Sequence, residues 1–120
     1  MLLLSGAVAQ AQEARSDLYR CEGCEAVFDV DHQSLTPEAV IASDTEPGER
    51  LHLTGTVYQM DKVTPADGVV LYIYHTNSEG FYAGSDGLSA AGDRHGRLRG
   101  WVRTGADGNY AVSTIRPAPY

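Results

Sequence analysis

The chain has 120 residues, of which 42% are apolar and 21% are charged, which is the composition of one small globular domain. Its formal net charge of −7 argues against a nucleic-acid partner. Thirteen glycines and five prolines indicate many turns and therefore short strands. No pattern in the sequence defines an oligomeric state.

Residues 1–12 have the features of a clipped signal peptide. An apolar stretch precedes small residues at Ala7, Ala9 and Ala11, the spacing that suits signal-peptide cleavage, although the usual basic start is missing. The stretch is far too short to span a membrane. We therefore expect a periplasmic or secreted protein, whose folded part begins after residue 12.

Residues 13–49 are expected to form an irregular N-terminal segment with one short helix. Cys21 and Cys24 form a C-x-x-C motif, which suits a redox pair, half of a zinc site or a small disulfide loop. No second such motif completes a zinc site, and no buried strand precedes a redox helix, so we favour a disulfide. In "LTPEAVIAS", Thr36 as N-cap and Pro37 at the first helical position predict the helix.

Strand patterns begin near residue 50. "RLHLTGTVYQ" alternates with Leu51 and Leu53 on one face, which predicts a half-buried strand. "VVLYIYHT" is a continuous apolar run, which predicts a central strand buried on both faces. Residues 83–96 are rich in glycine and poor in apolar side chains, which is typical of a functional or mobile loop.

The C-terminal part predicts two more strands. "RLRGWVR" and "YAVSTI" are separated by "TGADGN", which predicts a β-hairpin, and the last strand, ending at Ile115, is expected to be a sheet edge. Asp67-Gly68 and Asp107-Gly108 are expected to be turns. The fold class is therefore all-β, an antiparallel β-sandwich that is incomplete.

Charge is unevenly distributed along the chain. Residues 94–120 carry five arginines and one acidic residue, whereas residues 1–93 carry four basic and fifteen acidic residues. Such a basic segment could steer a small anion. We favour the simpler interpretation, in which Arg97, Arg99 and Arg103 form the solvated face of one strand.

The four histidines do not form a metal-binding pattern. No H-x-H or H-x-x-x-H pair is present, so a structural role is favoured for His32, His52, His75 and His95. His52 is expected to be solvated, and His75 is expected to hydrogen-bond a backbone group. His95, beside the glycine-rich loop, is the histidine with the strongest functional interest.

The motifs along residues 50–120 resemble the intradiol ring-cleavage dioxygenase family. They are "LTGTVYQ", "ADGVVLYIYHTNSEGFY" and "RLRGWVRTGADGNYAVSTIRPAPY", and they follow the family's order, including its D/N-x-x-G-x-Y and T-I-x-P-x-x-Y blocks. Tyr74 and Val112 stand where tryptophan and phenylalanine are common in the family, and both changes are conservative. The residues of these motifs are most similar to those of exported members of the family, which also tend to carry a cysteine pair near the mature N-terminus.

The resemblance implies a non-haem Fe(III) site. In this family two tyrosinates and two histidines hold the iron, and the tyrosine that closes the P-x-x-Y motif is Tyr120 here. Phenolate oxygens are hard anionic donors that suit Fe(III). The implied partners are a catechol-type aromatic substrate and O2, and the implied reaction cleaves the ring between the two hydroxylated carbons. Arg97 and Arg99 are weak candidates for binding an acidic catechol.

The second tyrosine and the H-x-H pair of the family fall beyond residue 120. The resemblance therefore carries over one iron ligand of four, and we expect residues 1–120 to be inactive by themselves, as a dioxygenase fragment. The alternative is a non-catalytic transthyretin-like or carboxypeptidase-regulatory-like β-sandwich, used for binding or structure. That alternative accounts for the strands but not for "RPAPY" or "YHTNSEGFY".

Overall fold

A computed structural model describes residues 21–120, so the signal peptide predicted for residues 1–12 lies outside the described part of the chain. The described residues form five strands, two short 3-10 helices and one short α-helix. In chain order these are the 3-10 helices Cys24–Phe28 and His32–Ser34, β1 Glu38–Val40, β2 Arg50–Thr56, β3 Val70–Tyr74, α1 Ala90–Asp93, β4 Arg99–Arg103 and β5 Asn109–Ile115.

The strands form two sheets, which confirms the all-β prediction. One sheet has the order β1-β5-β2, with β1 parallel and β2 antiparallel to β5, and the other is the antiparallel pair β3-β4. The register places Val112 of β5 opposite both Ala39 of β1 and Leu53 of β2. Directly opposite residues share a face of the sheet, so these three side chains lie on one side.

The core lies between the two sheets. Val112 and Val102, from opposite sheets, are 1% and 0% exposed, and Ile115 packs with Ala42 and Leu98 in a buried cluster. Thr114, two residues after Val112 and thus on the same face, hydrogen-bonds through its hydroxyl to His75 Nε2 at 2.7 Å, directly after β3. The face that carries Val112 and Thr114 is therefore the inner face of the sandwich.

The β3-β4 sheet is covered on its other face as well. Gly100 lies against Ile41 of the first sheet, so its neighbours Arg99 and Trp101 point to the opposite side. There Arg99 is buried, because its side chain hydrogen-bonds to Asp86 of the glycine-rich loop and to Asp29 of the N-terminal segment. The prediction that this strand presents a solvated arginine face is wrong for Arg99.

The helix predicted in "LTPEAVIAS" is wrong, because the segment forms β1. Thr36 makes a local cap-like contact, since its hydroxyl oxygen accepts from the Glu38 N–H at 3.4 Å. The backbone nevertheless pairs with β5, with the Ala111 N–H donating to the Pro37 carbonyl and the Ile41 N–H donating to the Ser113 carbonyl. Pairing along a whole strand outweighs a weak helix signal of one cap and one proline.

The prediction of a β-hairpin at "TGADGN" is also wrong, because the two strands that flank this turn do not pair with each other. The turn exists, with the Gly108 N–H donating to the Gly105 carbonyl at 2.8 Å and Gly108 at φ +73°. It carries the chain from β4 in one sheet to β5 in the other, so the two strands are not paired. β5 then lies between β1 and β2, and it is the centre of its sheet rather than the expected edge.

Two burial predictions differ from the structure. The β3 run pairs with β4 alone among the described strands and is half-buried, so it is not a central strand buried on both faces. The alternating β2 strand forms as predicted, but Leu51 and Leu53 on its inner face are 37% and 41% exposed. The β3-β4 sheet packs against β1 and β5, and it leaves the inner face of β2 uncovered by the described residues.

Candidate functional site

Tyr120 lies at the end of a tail, residues 116–120, which follows β5 and which we call the Tyr120 tail. Its side chain is 94% exposed, and its ring centroid lies 5.5 Å from that of Tyr82 at an angle of 60°. Burial raises the pKa of Tyr82 above its ordinary value of 10.0, and the neighbouring Tyr120 hydroxyl raises it further. Tyr82 is in turn 6.0 Å from Tyr74, so three tyrosine rings follow one another here.

Arg99 is the centre of a buried polar group, the Arg99 cluster, formed by Arg99, Asp86, Asp29 and Tyr72. The guanidinium donates two hydrogen bonds to the Asp86 carboxylate, at 2.7 and 2.8 Å, and one to Asp29 at 2.9 Å. Its side chain is fully buried. Hydrogen bonding to Asp86 raises the pKa of Arg99 and lowers that of Asp86, which fixes both groups in their charged forms.

Aromatic rings and a glycine complete the surroundings of Arg99. Its guanidinium carbon lies 5.0 Å from the Trp101 ring centroid and 5.9 Å from that of Tyr72. A side chain at Gly92, in α1, would overlap the guanidinium, so α1 approaches Arg99 only because that residue is glycine. The donors of Arg99 that form hydrogen bonds are directed at side chains of its own fold.

His95 is buried and continues the same polar network. The Tyr72 hydroxyl accepts a hydrogen bond from Arg99 at 3.1 Å and pairs with His95 Nδ1 at 2.7 Å. Because His95 Nε2 lies 2.9 Å from the Glu22 carbonyl, which can only accept, Nε2 carries a hydrogen and Nδ1 accepts from Tyr72. The ring also stacks on Tyr74 at 3.8 Å and 6°. His95 thus joins the C-x-x-C segment to β3.

Arg97 also forms an ion pair with a carboxylate. It forms a two-point pair with Glu46, with N–O distances of 2.6 and 2.8 Å. The hydrogen bond from Arg97 holds the pKa of Glu46 below its ordinary value of 4.5. The Arg97 side chain is 43% exposed but that of Glu46 is only 8% exposed, so the pair neutralises a nearly buried carboxylate between the segment before β2 and the region that precedes β4.

Each of the remaining histidines has a hydrogen-bond partner within the fold. His75 Nδ1 contacts the Thr76 carbonyl at 2.7 Å, as predicted for a backbone hydrogen bond. His52 is exposed on β2 and reaches the Ser113 hydroxyl at 3.2 Å. His32 Nε2 bonds to the Val27 carbonyl at 2.8 Å.

The two cysteines lie side by side at the start of the described residues. Cys21 and Cys24 have their Cα atoms 5.6 Å apart and their sulfurs in contact, which is compatible with the predicted disulfide. Between them, Gly23 at φ +79° lies directly against the His95 ring. The C-x-x-C loop therefore packs on the outer face of the β3-β4 sheet.

The described residues provide few of the side chains that could bind an iron ion. Residues 21–120 contain no group of three or more histidine, cysteine, aspartate or glutamate side chains placed to hold a metal ion. Tyr120 fits as one donor, because its phenol oxygen is exposed and no described carboxylate or arginine is bonded to it. The described residues thus offer one position of a ferric site and not a complete site.

One further surface lies away from Tyr120. An open groove of about 740 Å³ lies beside β2 and β5, and none of the predicted site residues lines it. No helix within residues 21–120 is long and apolar enough to cross a membrane.

Sequence reasoning missed most of the Arg99 cluster. Asp29 and Asp86 lie 57 positions apart in loops, where aspartate usually serves a turn, so no local pattern separates them from other loop residues. For Tyr72, the sequence predicts only a position in a buried strand. The one available signal was the arginine inside "RLRGWVR", since a charged residue between apolar ones requires a partner when the strand is covered on both faces.

Comparison with known proteins gives a consistent family. The Dioxygenase_C model, described as a dioxygenase, matches residues 26–120. Catechol 1,2-dioxygenase 1 of Acinetobacter lwoffii is 40% identical over 86 residues, which is 69% of this chain and 27% of that protein. The chain therefore spans about a quarter of the length of this relative.

Solved structures agree in fold. The mercury-inhibited catechol 1,2-dioxygenase from Acinetobacter sp. ADP1 superposes with a TM-score of 0.55 and 30% identity, covering 69% of this chain and 26% of that one. The dioxygenase domain of a dioxygenase carbohydrate-binding protein fusion from Streptomyces sp. SirexAA-E gives a TM-score of 0.52 and 25% identity, covering 72% and 50%. The range matched by the family model starts at residue 26, whereas the sequence motifs start near residue 50.

Proposed function

The chain belongs to the intradiol ring-cleavage dioxygenase family, and from this premise we propose that it contributes one iron ligand, Tyr120, to the cleavage of a catechol-type ring by O2. The bond cleaved joins the two hydroxylated carbons, and the cofactor is a non-haem Fe(III). Two of the three proteins named above are catechol 1,2-dioxygenases, which supports a catechol-type substrate.

The observation that supports the proposal is the position of Tyr120, which closes the family's P-x-x-Y block within the matched residues 26–120. The fold directs the other polar groups of this region inward, including Arg99 and Tyr72, and leaves the Tyr120 phenol 94% exposed. A phenolate is a hard anionic oxygen donor, which suits a ferric ion that binds the two oxygens of a catechol. The metal, when bound, supplies the Lewis acidity that activates the ring.

The chain's own residues supply placement rather than chemistry. Tyr82 lies beside the Tyr120 ring, with the two ring centroids 5.5 Å apart. The Arg99 cluster fixes the glycine-rich loop and the N-terminal segment on one sheet. One phenolate binds iron weakly, because metal selectivity comes from ligand number and geometry. We therefore expect residues 1–120 alone to bind Fe(III) substoichiometrically and to leave catechol uncleaved.

The experiment begins with the nucleotide sequence after the Tyr120 codon, where we expect a continuing frame with a second tyrosine and an H-x-H pair. In the protein expressed from that full frame, Tyr120→Phe should remove the visible tyrosinate-to-iron absorption, the bound iron and catechol cleavage together. Tyr58→Phe is the matched control, because Tyr58 is 52% exposed and lies outside the tail. Unchanged iron content in Tyr120→Phe would show that Tyr120 is not a ligand.

A further inference from the structure

The turn that follows β3 contacts the Tyr120 tail directly. Residues 76–82 contain the N-x-x-G-x-Y sequence, and residues 116–120 contain R-P-x-P-Y. The two stretches are about 40 positions apart in the chain, and they follow strands that belong to different sheets. Their contacts involve the backbone of the tail immediately before Tyr120.

Two hydrogen bonds hold Ala118, two residues before Tyr120. The Ala118 N–H donates to the Asn77 carbonyl at 3.1 Å. The Ala118 carbonyl accepts from the Thr76 hydroxyl at 2.7 Å. Thr76 is 2% exposed, so this second bond is protected from water and costs free energy to break. Both backbone groups of Ala118 are thus bonded to the turn.

Gly80 makes room for the next residue of the tail. It has φ +89°, and a Cβ atom built at this position would overlap the Pro119 carbonyl oxygen. Only glycine combines this backbone conformation with so close an approach of another backbone segment. The shape of the turn is therefore matched to the tail at the residue before Tyr120.

The side chain of Asn77 fixes the turn itself. Its Oδ1 accepts hydrogen bonds from the N–H groups of Glu79 and Phe81, both at 3.0 Å. The Asn77 backbone closes the same turn, since its N–H donates to the Phe81 carbonyl at 2.8 Å. Aspartate could accept the same two bonds, whereas alanine could accept neither.

We propose that the Thr76–Tyr82 turn, through Thr76, Asn77 and Gly80, positions Tyr120 for its ligand. The argument rests on the proposed function only in calling Tyr120 an iron ligand, since the contacts themselves are independent of a metal. Fixing Ala118 and Pro119 leaves the Tyr120 side chain as the free part of the tail, with Tyr82 packed against its ring. Preorganisation of this kind lowers the entropy that binding would otherwise cost.

The first test compares Gly80→Ala with Gly87→Ala in the 120-residue chain. Gly87 is the matched control, because it also has a positive φ, +73°, but a Cβ there meets nothing within 4 Å. In Gly80→Ala we expect the Ala118 amide to exchange about tenfold faster, and the nuclear Overhauser contact between the Tyr82 and Tyr120 rings to weaken. In Gly87→Ala both signals should stay as in the parent chain. The Val112 amide, in the core of β5, should be unchanged in both.

The second test separates the hydroxyl of Thr76 from its bulk. Thr76→Val keeps the shape of the side chain and removes the hydroxyl that donates to Ala118. The Ala118 amide exchange and the Tyr82–Tyr120 ring contact should therefore change as in Gly80→Ala. Thr76→Ser keeps the hydroxyl and should restore them. If Thr76→Val and Gly80→Ala left the Ala118 exchange and the ring contact as in the parent chain, the positioning role would be wrong.

The two proposals fail in different ways. If the tail loosens in these variants but Tyr120→Phe in the full-frame protein keeps its iron, the turn positions a tyrosine that is not a ligand. If both proposals hold, Gly80→Ala in the full-frame protein should shift the tyrosinate-to-iron absorption and lower iron affinity, whereas Gly87→Ala should not. An unshifted band with a loosened tail would overturn the link between tail position and ligation.

Discussion

The Arg99 cluster and the Tyr120 tail differ in how their polar groups are satisfied. In the cluster, every donor of Arg99 that forms a hydrogen bond meets a side chain of the same fold, and the arginine is fully buried. In the tail, the backbone of Ala118 is bonded to a turn, while the phenol of Tyr120 is left to solvent. The Arg99 cluster therefore has its hydrogen bonds within the fold, whereas the exposed phenol of Tyr120 is the group to which we assign a ligand role.

The largest expected effect is the loss of the Arg99 cluster. Arg99→Met would leave the carboxylates of Asp29 and Asp86, whose side chains are 12% and 25% exposed, without their cation. Removal of one partner from a buried ion pair typically costs about 3–5 kcal/mol of unfolding free energy. Urea denaturation of both proteins would measure the difference.

Arg94→Met is the control for that measurement. Its side chain is 62% exposed and that of its partner Glu22 is 77% exposed, and surface pairs of this kind contribute at most about 1 kcal/mol. If the two arginine variants lost the same stability, the distinction between a buried cluster and a surface contact would be wrong.

A smaller effect is expected from pH. The hydrogen bonds from Arg99 hold the pKa of Asp86 below its ordinary value of 3.8. A lowered carboxylate pKa adds stability that is fully present above pH 3.8 and is lost as the pH falls below 3.8 through the lowered value. Asp86→Asn should therefore remove part of the acid dependence of the unfolding free energy, measured by denaturation between neutral pH and acid.

Asp44→Asn serves as the control for the pH series, because Asp44 is an exposed aspartate outside the cluster. It should keep the acid dependence of the parent chain. A parent chain whose stability did not fall in the acid range, or an Asp86→Asn variant with the same curve as the parent, would contradict the role given to Asp86.

The smallest expected effect on stability belongs to Tyr120. Because its side chain is 94% exposed, Tyr120→Phe should change the unfolding free energy by less than about 0.5 kcal/mol. The same change should abolish iron binding in the full-frame protein. A substantial loss of stability would mean that the Tyr120 phenol serves the fold, as Arg99 does, and the contrast between the two regions would disappear.

The sequence predicted four of the five strands and the family, because both depend on local patterns. Alternation in β2, the apolar run of β3 and the order of the family's motif blocks can all be read from neighbouring residues. β1 was missed, because three residues carry too little pattern to outweigh a capping threonine and a proline. Tyr120 came from the P-x-x-Y block, and its role remains a prediction.

The sequence could not predict which distant segments of the chain pair or contact one another. The turn at residues 104–109 has the residues of a hairpin, yet whether the next strand pairs with β4 or crosses to the other sheet depends on which surface is left to cover. The same holds for Arg99, whose solvated or buried state was set by a loop and a segment that lie far away in the chain.

The sequence by itself thus determined the all-β class, the family and the position of a candidate ligand at Tyr120. Only the tertiary structure decided that Arg99 is buried, that β5 is central and that the turn after β3 holds the Tyr120 tail. Local propensity and motif order act between near neighbours, whereas burial and strand pairing depend on contacts that form only when the whole chain packs.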